Sequence, residues 1–274
     1  MRITRFFRSL VRSLLLVGIL LVATVDLWIK RPRMGAEGAV WIHGWCRRIV
    51  AALGIKCHVT GELPDADHGP VAVVSNHLSY LDILLFSAAK PFVMVAKSEV
   101  KRWPILGRLT AQAGTVYVDR GGGPPTYPAV NQAMSEAYRS GLPILFFPEG
   151  TTSNGSEVLP FRRGLFHSVL DNDVKLRTAA LRYEIGDGNG AACVAKDVCW
   201  WGDAFFGPHI FRFLGLKGVS ARIAFDGITV EGEDRFELSE RARRRVTGEY
   251  EDLEWQRSAV IEGVRDSAIV SSLS

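Results

Sequence analysis

From residue 56 onward, short runs rich in β-branched and aromatic residues alternate with stretches whose apolar residues recur at helical spacing. The strands predicted from these runs are residues 56–60, 71–75, 92–96, 115–118, 144–147, 177–183 and 221–230. The predicted helices are residues 81–89, 105–113, 128–139, 163–170 and 235–262. This alternation predicts an α/β fold with a largely parallel sheet flanked by helices. Ligands of such sheets bind outside the carboxyl ends of the strands, so the residues that follow each strand are candidates for a site.

The N-terminal segment contains an apolar run, residues 14–25, between arginine-rich residues and the basic cluster 30–33. As a helix, residues 13–29 would span about 25 Å, against roughly 30 Å for the hydrocarbon core of a bilayer. A cleaved signal peptide, a single membrane span and a shallow or re-entrant anchor all fit this pattern. Basic residues flank both ends of the run and fix no spanning orientation, which favours the anchor. We predict membrane-attaching helices over residues 1–55 and a second domain over 56–274.

Charge divides the chain in nearly the same place. The first 48 residues carry nine Lys/Arg and two acidic residues, a net +7, whereas the remainder carries 24 basic and 27 acidic residues, a net −3. Four arginines of the first turns share one helical face: Arg2, Arg5, Arg8 and Arg12. A basic head on a mildly acidic body is not the profile of a nucleic-acid-binding domain. It predicts that the head contacts anionic membrane lipid.

A histidine and a carboxylate follow the second predicted strand. His77 and Asp82 are five residues apart, and along one helix they would not share a face. They can meet if His77 lies in the loop and Asp82 lies in the first turns of the next helix. A carboxylate on one imidazole nitrogen leaves the other nitrogen free to act as a base.

Further polar residues follow two more predicted strands. These are Asp119 and Arg120 after the fourth, and Glu149, Gly150 and Thr151 after the fifth, with Arg162 and Arg163 close behind. Arginines and hydroxyls at strand ends suit a phosphate or another anionic head group. The sequence has no GK[ST] phosphate loop and no G-x-S-x-G serine motif. Its six histidines show no metal-ligand spacing, so we expect no metal. We also expect no bound cofactor.

Three ordered motifs resemble those of the 1-acyl-sn-glycerol-3-phosphate acyltransferase (lysophosphatidic acid acyltransferase) family of membrane enzymes. They are Asn76-His77-x4-Asp82, Gly114-Thr-Val-Tyr-Val-Asp119-Arg120 and Phe147-Pro148-Glu149-Gly150-Thr151. The resemblance implies that His77 and Asp82 are the catalytic pair, with His77 as general base and Asp82 as its orienting partner. It also implies that the acceptor site is lined by Asn76, Arg120, Glu149, Gly150, Thr151, Arg162 and Arg163.

The same resemblance implies a reaction and a location. A fatty acyl group would pass from an acyl thioester, acyl-CoA or acyl carrier protein, to the free hydroxyl of 1-acyl-sn-glycerol-3-phosphate. The product would be phosphatidic acid for phospholipid biosynthesis, formed without a covalent enzyme intermediate. The implied location is the cytoplasmic face of the inner or plasma membrane.

The chain departs from the family pattern at two places. Thr152 stands where many members have Arg, and residues 178–181 lack the proline of the fourth motif. Both positions bear on the acceptor, which leaves another lysolipid, such as a lyso-ornithine lipid, as the alternative. A lipid-binding protein with an inactive site and a thioester hydrolase also stay open. The aromatic segment 198–206 is either core or the lipid-facing mouth of the site.

Overall fold

The computed structural model describes residues 3–65, 69–103, 105–119 and 127–270. Within them, seven strands form one sheet in the order β1-β7-β6-β2-β5-β3-β4. The strands are β1 (Lys56–Gly61), β2 (Val71–Ser75), β3 (Val93–Lys97), β4 (Val116–Val118), β5 (Ile144–Phe146), β6 (Lys175–Ile185) and β7 (Val219–Phe225). Strands β2 to β6 run parallel, whereas β7 is antiparallel to β6 and pairs in parallel with β1. The predicted α/β fold with a largely parallel sheet is confirmed.

Helices cover the sheet. They are α1 (Ile3–Lys30), α2 (Ala36–Leu53), α3 (Tyr80–Ala89), α4 (Leu106–Gln112), α5 (Tyr127–Tyr138), α6 (Phe166–Asp171), α7 (Val194–Asp197), α8 (Phe206–Leu214) and α9 (Arg235–Val270), with a 3-10 helix at Ser98–Arg102. The sequence analysis did not predict α7 or α8, which lie on either side of the aromatic segment 198–206. The helix predicted over 163–170 begins only at Phe166, and the strand predicted over 221–230 ends at Phe225.

The core lies on both faces of the sheet. Every residue of β2 is buried, and its sequence Val-Ala-Val-Val-Ser has no polar alternation. Such a continuous apolar run is typical of a central parallel strand covered on both faces. Helix α2 contributes Ile49, Val50 and Leu53 to the same core, so α2 packs as a core helix does. The backbone of β2 is thereby held rigid directly before the loop that carries His77.

Strand β6 is longer than its neighbour β2, and the part of β6 that extends past the end of β2 shapes the site. The last pair between them is Ser75 with Ala179, so β6 continues for six more residues beyond the end of β2. In that region β6 pairs with β7 on its other side. The free edge of β6 therefore faces the loop and helix that follow β2.

Helix α1 is continuous through the apolar run. Its 28 residues are about 42 Å long at 1.5 Å per residue, enough to cross a membrane by length and composition. The apolar side chains of α1 are mostly exposed. A re-entrant anchor would reverse direction inside the apolar run, whereas α1 is continuous there. The chain reverses at residues 31–35, between α1 and α2.

The arginine face of α1 contacts the protein. Arg5 forms an ion pair with Asp197 at 2.7 Å, Arg8 donates to the carbonyl of Gly215 at 2.9 Å, and Arg12 donates to the carbonyl of Leu216 at 2.7 Å. The shared face was predicted correctly. The guanidinium groups on it satisfy an acidic side chain and carbonyls at the C-terminal end of α8. The lipid contact predicted for the basic head as a whole stays a prediction. Arg2 lies outside the described residues.

Asp26 is accommodated near the end of the apolar run by the hairpin between α1 and α2. Its Oδ2 accepts hydrogen bonds from the indole N–H groups of Trp41 and Trp45, at 2.8 and 3.0 Å. The Nζ atom of Lys30 lies 3.1 Å from its Oδ1. The two tryptophans therefore join α2 to α1, and a carboxylate in an apolar helix has the partners it requires.

Candidate active site

His77 and Asp82 meet at the carboxyl end of β2. His77 lies in the loop between β2 and α3, and Asp82 lies in the first turn of α3. The Nδ1 atom of His77 is 2.7 Å from Oδ2 of Asp82. Since Nδ1 is engaged by the carboxylate, Nε2 is the ring nitrogen left to accept a proton. The imidazole also stacks on the ring of Phe147, with centroids 4.1 Å apart, which fixes its plane.

Asp82 is fully buried and its carboxylate is saturated with donors. Besides His77, the backbone N–H groups of Leu78 and Ser79 donate to Oδ2 at 2.6 and 3.0 Å. The hydroxyl of Tyr183 donates to Oδ1 at 2.6 Å. The N-terminal turn of α3 also places the positive end of the helix dipole at this carboxylate. Four hydrogen bonds and the dipole together offset the cost of burying the charge.

Asn76 binds the protein backbone. Its Nδ2 donates to the carbonyl of Leu181 at 2.9 Å, and its Oδ1 accepts from the N–H of Leu181 at 2.8 Å. The side chain is buried, and both of its polar ends are occupied by one residue of β6. These contacts favour a bracing role, in which Asn76 extends the β2–β6 pairing by one step and holds the His77 loop against β6.

Glu149 lies beside His77 and is almost completely buried. Its Oε1 accepts from the backbone N–H of His77 at 3.3 Å, and its buried Oε2 has no hydrogen-bond partner among the described residues. Burial raises the pKa of Glu149 to about 8, and the negative charge of Asp82 contributes to the shift. At neutral pH the group is therefore protonated and uncharged.

A cavity of about 130 Å³ opens at the carboxyl ends of β3, β4 and β5. Its lining includes Phe147, whose ring contacts His77, together with Asp119, Gly150 and Arg162. Gly150 has φ +71°, and a Cβ built there would lie 2.5 Å from Nε of Arg162. The glycine therefore permits both the turn and the close approach of the guanidinium group. The cavity combines the cation of Arg162 with the carboxyl ends of the strands, and Phe147 links it to the histidine.

The remaining predicted residues are placed differently. Thr151 is exposed at the turn after β5. Arg163 lies over the ring of Phe236 in α9, 4.6 Å from its centroid, whereas Arg162 lines the cavity. Arg120, predicted to line the acceptor site, lies outside the described residues. Within the described part of the chain, no three His, Cys, Asp or Glu residues are grouped so that they could hold a metal ion.

The aromatic segment 198–206 proves to be both core and surface. Val198 is buried, whereas Trp201 and Phe205 are exposed. The backbone N–H of Trp200 donates to the carbonyl of Leu78 at 2.8 Å. The hydroxyl of Thr152 donates to the carbonyl of Trp200. The segment therefore packs directly on the His77 loop.

Sequence reasoning missed Tyr183 and the role of Thr152. Tyr183 is 101 residues from Asp82, and nothing in the local pattern of β6 distinguishes its hydroxyl from a packing ring. Thr152 was noted as a departure from the family pattern, but its contact with Trp200 depends on a segment 48 residues away.

The mostly parallel sheet carries a histidine–aspartate pair at a strand end, with an arginine-lined cavity beside it and an apolar helix at the N-terminal end. A family model described as Acyltransferase matches residues 55–182. The chain belongs to the 1-acyl-sn-glycerol-3-phosphate acyltransferase family and is an O-acyltransferase. The apolar α1 and the lipid-modifying relatives indicate that it associates with a membrane.

Two relatives and one solved structure are similar to this chain over most of its length. It is 34% identical to a 1-acyl-sn-glycerol-3-phosphate acyltransferase of Neisseria meningitidis over 73% of this chain and 76% of that one. It is 32% identical to a lyso-ornithine lipid O-acyltransferase of Pseudomonas aeruginosa over 87% of this chain and 92% of that one. The crystal structure of the 1-acyl-sn-glycerophosphate acyltransferase PlsC of Thermotoga maritima shares the fold, with a TM-score of 0.65 at 18% identity over 91% of this chain and 98% of that one.

Proposed function

We propose that this protein transfers a fatty acyl group from an acyl thioester to the free hydroxyl of 1-acyl-sn-glycerol-3-phosphate, giving phosphatidic acid. The observation that carries the proposal is the His77–Asp82 pair, 2.7 Å apart, set against a cavity that Arg162 lines. A base and a cation are the two groups that this reaction requires of the protein, one for the hydroxyl and one for the phosphate.

The reaction proceeds by direct attack. Nε2 of His77 takes the proton of the acceptor hydroxyl while the hydroxyl oxygen attacks the thioester carbonyl carbon. The tetrahedral intermediate then collapses, the C–S bond breaks, and the departing thiolate receives the proton from the imidazolium. Asp82 stabilises the imidazolium at the intermediate stage, and no protein atom becomes acylated. Positioned base catalysis supplies roughly 10²–10⁴-fold, and orientation of the two substrates adds to it.

The cavity supplies groups for the acceptor head. The guanidinium of Arg162, which lines the cavity, pairs with an anionic phosphate. Glu149 is buried between two lining residues, Pro148 and Gly150, and its protonated carboxyl places no negative charge there. A neutral acid beside the phosphate avoids the repulsion that a carboxylate would cause. This arrangement supports 1-acyl-sn-glycerol-3-phosphate as the acceptor.

A lyso-ornithine lipid is the second candidate acceptor. Asp119 lines the cavity together with Arg162, so both signs of charge are present, as a zwitterionic amino-acid head group requires. The Pseudomonas aeruginosa relative, a lyso-ornithine lipid O-acyltransferase, also matches 87% of the chain. The chemistry at His77 is the same for both acceptors, because each presents a free hydroxyl.

The donor in this proposal is acyl-CoA or acyl carrier protein. Both are water-soluble carriers found in the cytoplasm, so the proposed location is the cytoplasmic face of the inner or plasma membrane. A thiolate leaving group needs no acid stronger than an imidazolium, and the proposed reaction therefore involves no metal and no bound cofactor.

The test is an acyl-transfer assay with the purified full-length protein in detergent or nanodiscs. A radiolabelled acyl chain, carried on CoA or on acyl carrier protein, is offered with 1-acyl-sn-glycerol-3-phosphate, a lyso-ornithine lipid or lysophosphatidylethanolamine. We expect labelled phosphatidic acid, and no turnover by His77→Ala, with circular dichroism unchanged. Arg162→Ala should raise the acceptor KM, whereas the neighbouring Arg163→Ala should not. Transfer only to the ornithine lipid would establish the second candidate, and full activity of His77→Ala would refute the mechanism.

A further inference from the structure

A buried tyrosine lies behind the histidine–aspartate pair. Tyr183 is on the part of β6 that continues past the end of β2, where Asn76 binds the backbone of Leu181. Its side chain is 3% exposed, and its hydroxyl donates to Oδ1 of Asp82 at 2.6 Å. The extra length of β6 thus brings a hydroxyl group from the sheet to the carboxylate at the start of α3.

The two oxygens of Asp82 have different partners. Oδ2 accepts three N–H donors, among them Nδ1 of His77, whereas the hydrogen bond to Oδ1 comes from Tyr183. Because the carboxylate is fully buried, losing the hydroxyl would leave Oδ1 with a lone pair facing an apolar core. The carboxylate would then be held through Oδ2 alone, so its plane against the imidazole would be less well fixed and its charge less well solvated.

Packing does not require the hydroxyl of Tyr183. A phenylalanine ring would fill the same space, and a buried hydroxyl costs stability unless it is hydrogen-bonded. Burial and the charge of Asp82 raise the pKa of Tyr183 well above its ordinary value. The hydroxyl therefore stays protonated and serves as a donor at every pH at which the enzyme works.

We propose that Tyr183 is a positioning residue for acyl transfer: its hydroxyl fixes Oδ1 of Asp82, and through Asp82 it fixes the orientation and basicity of His77. The inference rests on the proposed role of His77 as the base. It adds a third member to the pair, supplied by a strand about a hundred residues further along the chain.

The test compares Tyr183→Phe with Tyr138→Phe in the acyl-transfer assay. Tyr138 is a matched control, since it is also buried and its hydroxyl contacts Ser168 at 3.4 Å. We expect Tyr183→Phe to lower kcat about 10- to 100-fold, the effect of one hydrogen bond to a charged group. Both KM values should stay near wild type. The acid limb of the kcat–pH profile should move to higher pH, because the less solvated carboxylate holds a proton on His77 more tightly.

Two further variants separate positioning from packing. In an Asp82→Asn background, Tyr183→Phe should cause a much smaller loss than in wild type, because the charge of Asp82 through which the tyrosine acts is already absent. A fluorinated tyrosine at position 183 keeps the ring and is a stronger donor, so it should move the acid limb to lower pH. That variant also decides the question if Tyr183→Phe does not fold. Losses that add in the double variant, or a pH profile that neither substitution moves, would overturn the inference.

A readout without turnover distinguishes this inference from the proposed function. The proton on Nδ1 of His77, which faces Oδ2 of Asp82 at 2.7 Å, should give a low-field NMR signal in the full-length protein. The signal should move in Tyr183→Phe and not in Tyr138→Phe. If the wild type acylates no lysolipid, the proposed function fails, and this signal still decides the role of Tyr183: identical spectra for all three proteins refute it.

Discussion

Replacing Asp82 with asparagine tests the charge of the pair while retaining its shape. Three N–H donors converge on Oδ2, so the amide oxygen of the new side chain must take that position. The amide NH₂ then takes the position of Oδ1 and faces the hydroxyl of Tyr183, which can turn to accept it. His77 keeps its hydrogen bond and its tautomer, and only the negative charge is lost.

The structure sets the size of the expected effect. Nδ1 and Oδ2 are 2.7 Å apart, which puts the centres of the imidazolium and carboxylate charges about 4 Å apart. At an effective dielectric constant of about 20, two unit charges at that separation attract by about 4 kcal/mol. This attraction exists only once His77 has taken the proton, so its loss should lower kcat about 10³-fold. Stability should change far less, because the buried charge and its hydrogen bonds disappear together.

The assay is single-turnover acyl transfer by Asp82→Asn, with the melting temperature measured on the same preparation. Asp252→Asn, on the exposed surface of α9, is the control and should match wild type in both. A kcat within tenfold of wild type would show that the imidazolium needs no counter-charge, and the base mechanism would then be wrong. A fall in activity that tracks a collapse in melting temperature would assign Asp82 a structural role only.

Three further predictions concern Glu149, Gly150 and Glu249. Burial raises the pKa of Glu149 to about 8, so the rate of the wild type should fall above about pH 8, where the carboxyl ionises. Glu149→Gln should retain activity at pH 7 and should lack that fall in a kcat–pH profile. Gly150→Ala should lower stability to chemical unfolding by about 1–2 kcal/mol, because the residue has a positive φ. It should also raise the acceptor KM, measured from initial rates, by displacing Arg162. An unchanged KM would show that Arg162 does not bind the acceptor. Burial raises the pKa of Glu249 from 4.5 to about 7, so the wild type loses stability as pH rises between these two values, where the unfolded chain ionises first. Glu249→Gln should therefore gain stability relative to wild type between pH 5.5 and 8.5, by about 2 kcal/mol, and a pH-independent difference would contradict this.

The sequence predicted the parts of the site that are local in the chain. His77 and Asp82 lie in one loop-to-helix segment, where β2 ends and α3 begins, so their spacing and the strand boundary were sufficient to predict contact. Glu149 and Gly150 follow a strand that is adjacent to β2 in the sheet. Parallel neighbours bring their carboxyl ends to one edge, which is why these residues could be grouped without knowing the full strand order.

The contributions of β6 could not be predicted in that way. Strand order decides that β6 lies beside β2, and the offset of the pairing decides that β6 extends beyond it. Alternating patterns contain neither fact, so Tyr183 looked like another core aromatic. The partners of the arginines of α1 could not be predicted for a related reason. Their shared face was visible in the sequence, but the carboxylate and the carbonyls they bind belong to α7 and the end of α8, 192 to 207 residues away.

The contacts of α1 connect this apolar helix to the His77 loop. Arg8 and Arg12 bind the C-terminal end of α8, and His209 in the middle of α8 contacts the hydroxyl of Tyr80 at 3.2 Å. Tyr80 opens α3, the helix that carries Asp82. A helix that only tethered the enzyme would need none of these bonds, because an apolar face holds a chain at a bilayer without them. Ordering long arginine side chains costs conformational entropy, so these bonds are expected to serve a purpose other than tethering. We expect that they set the position of the His77 loop relative to the lipid surface from which the acceptor comes.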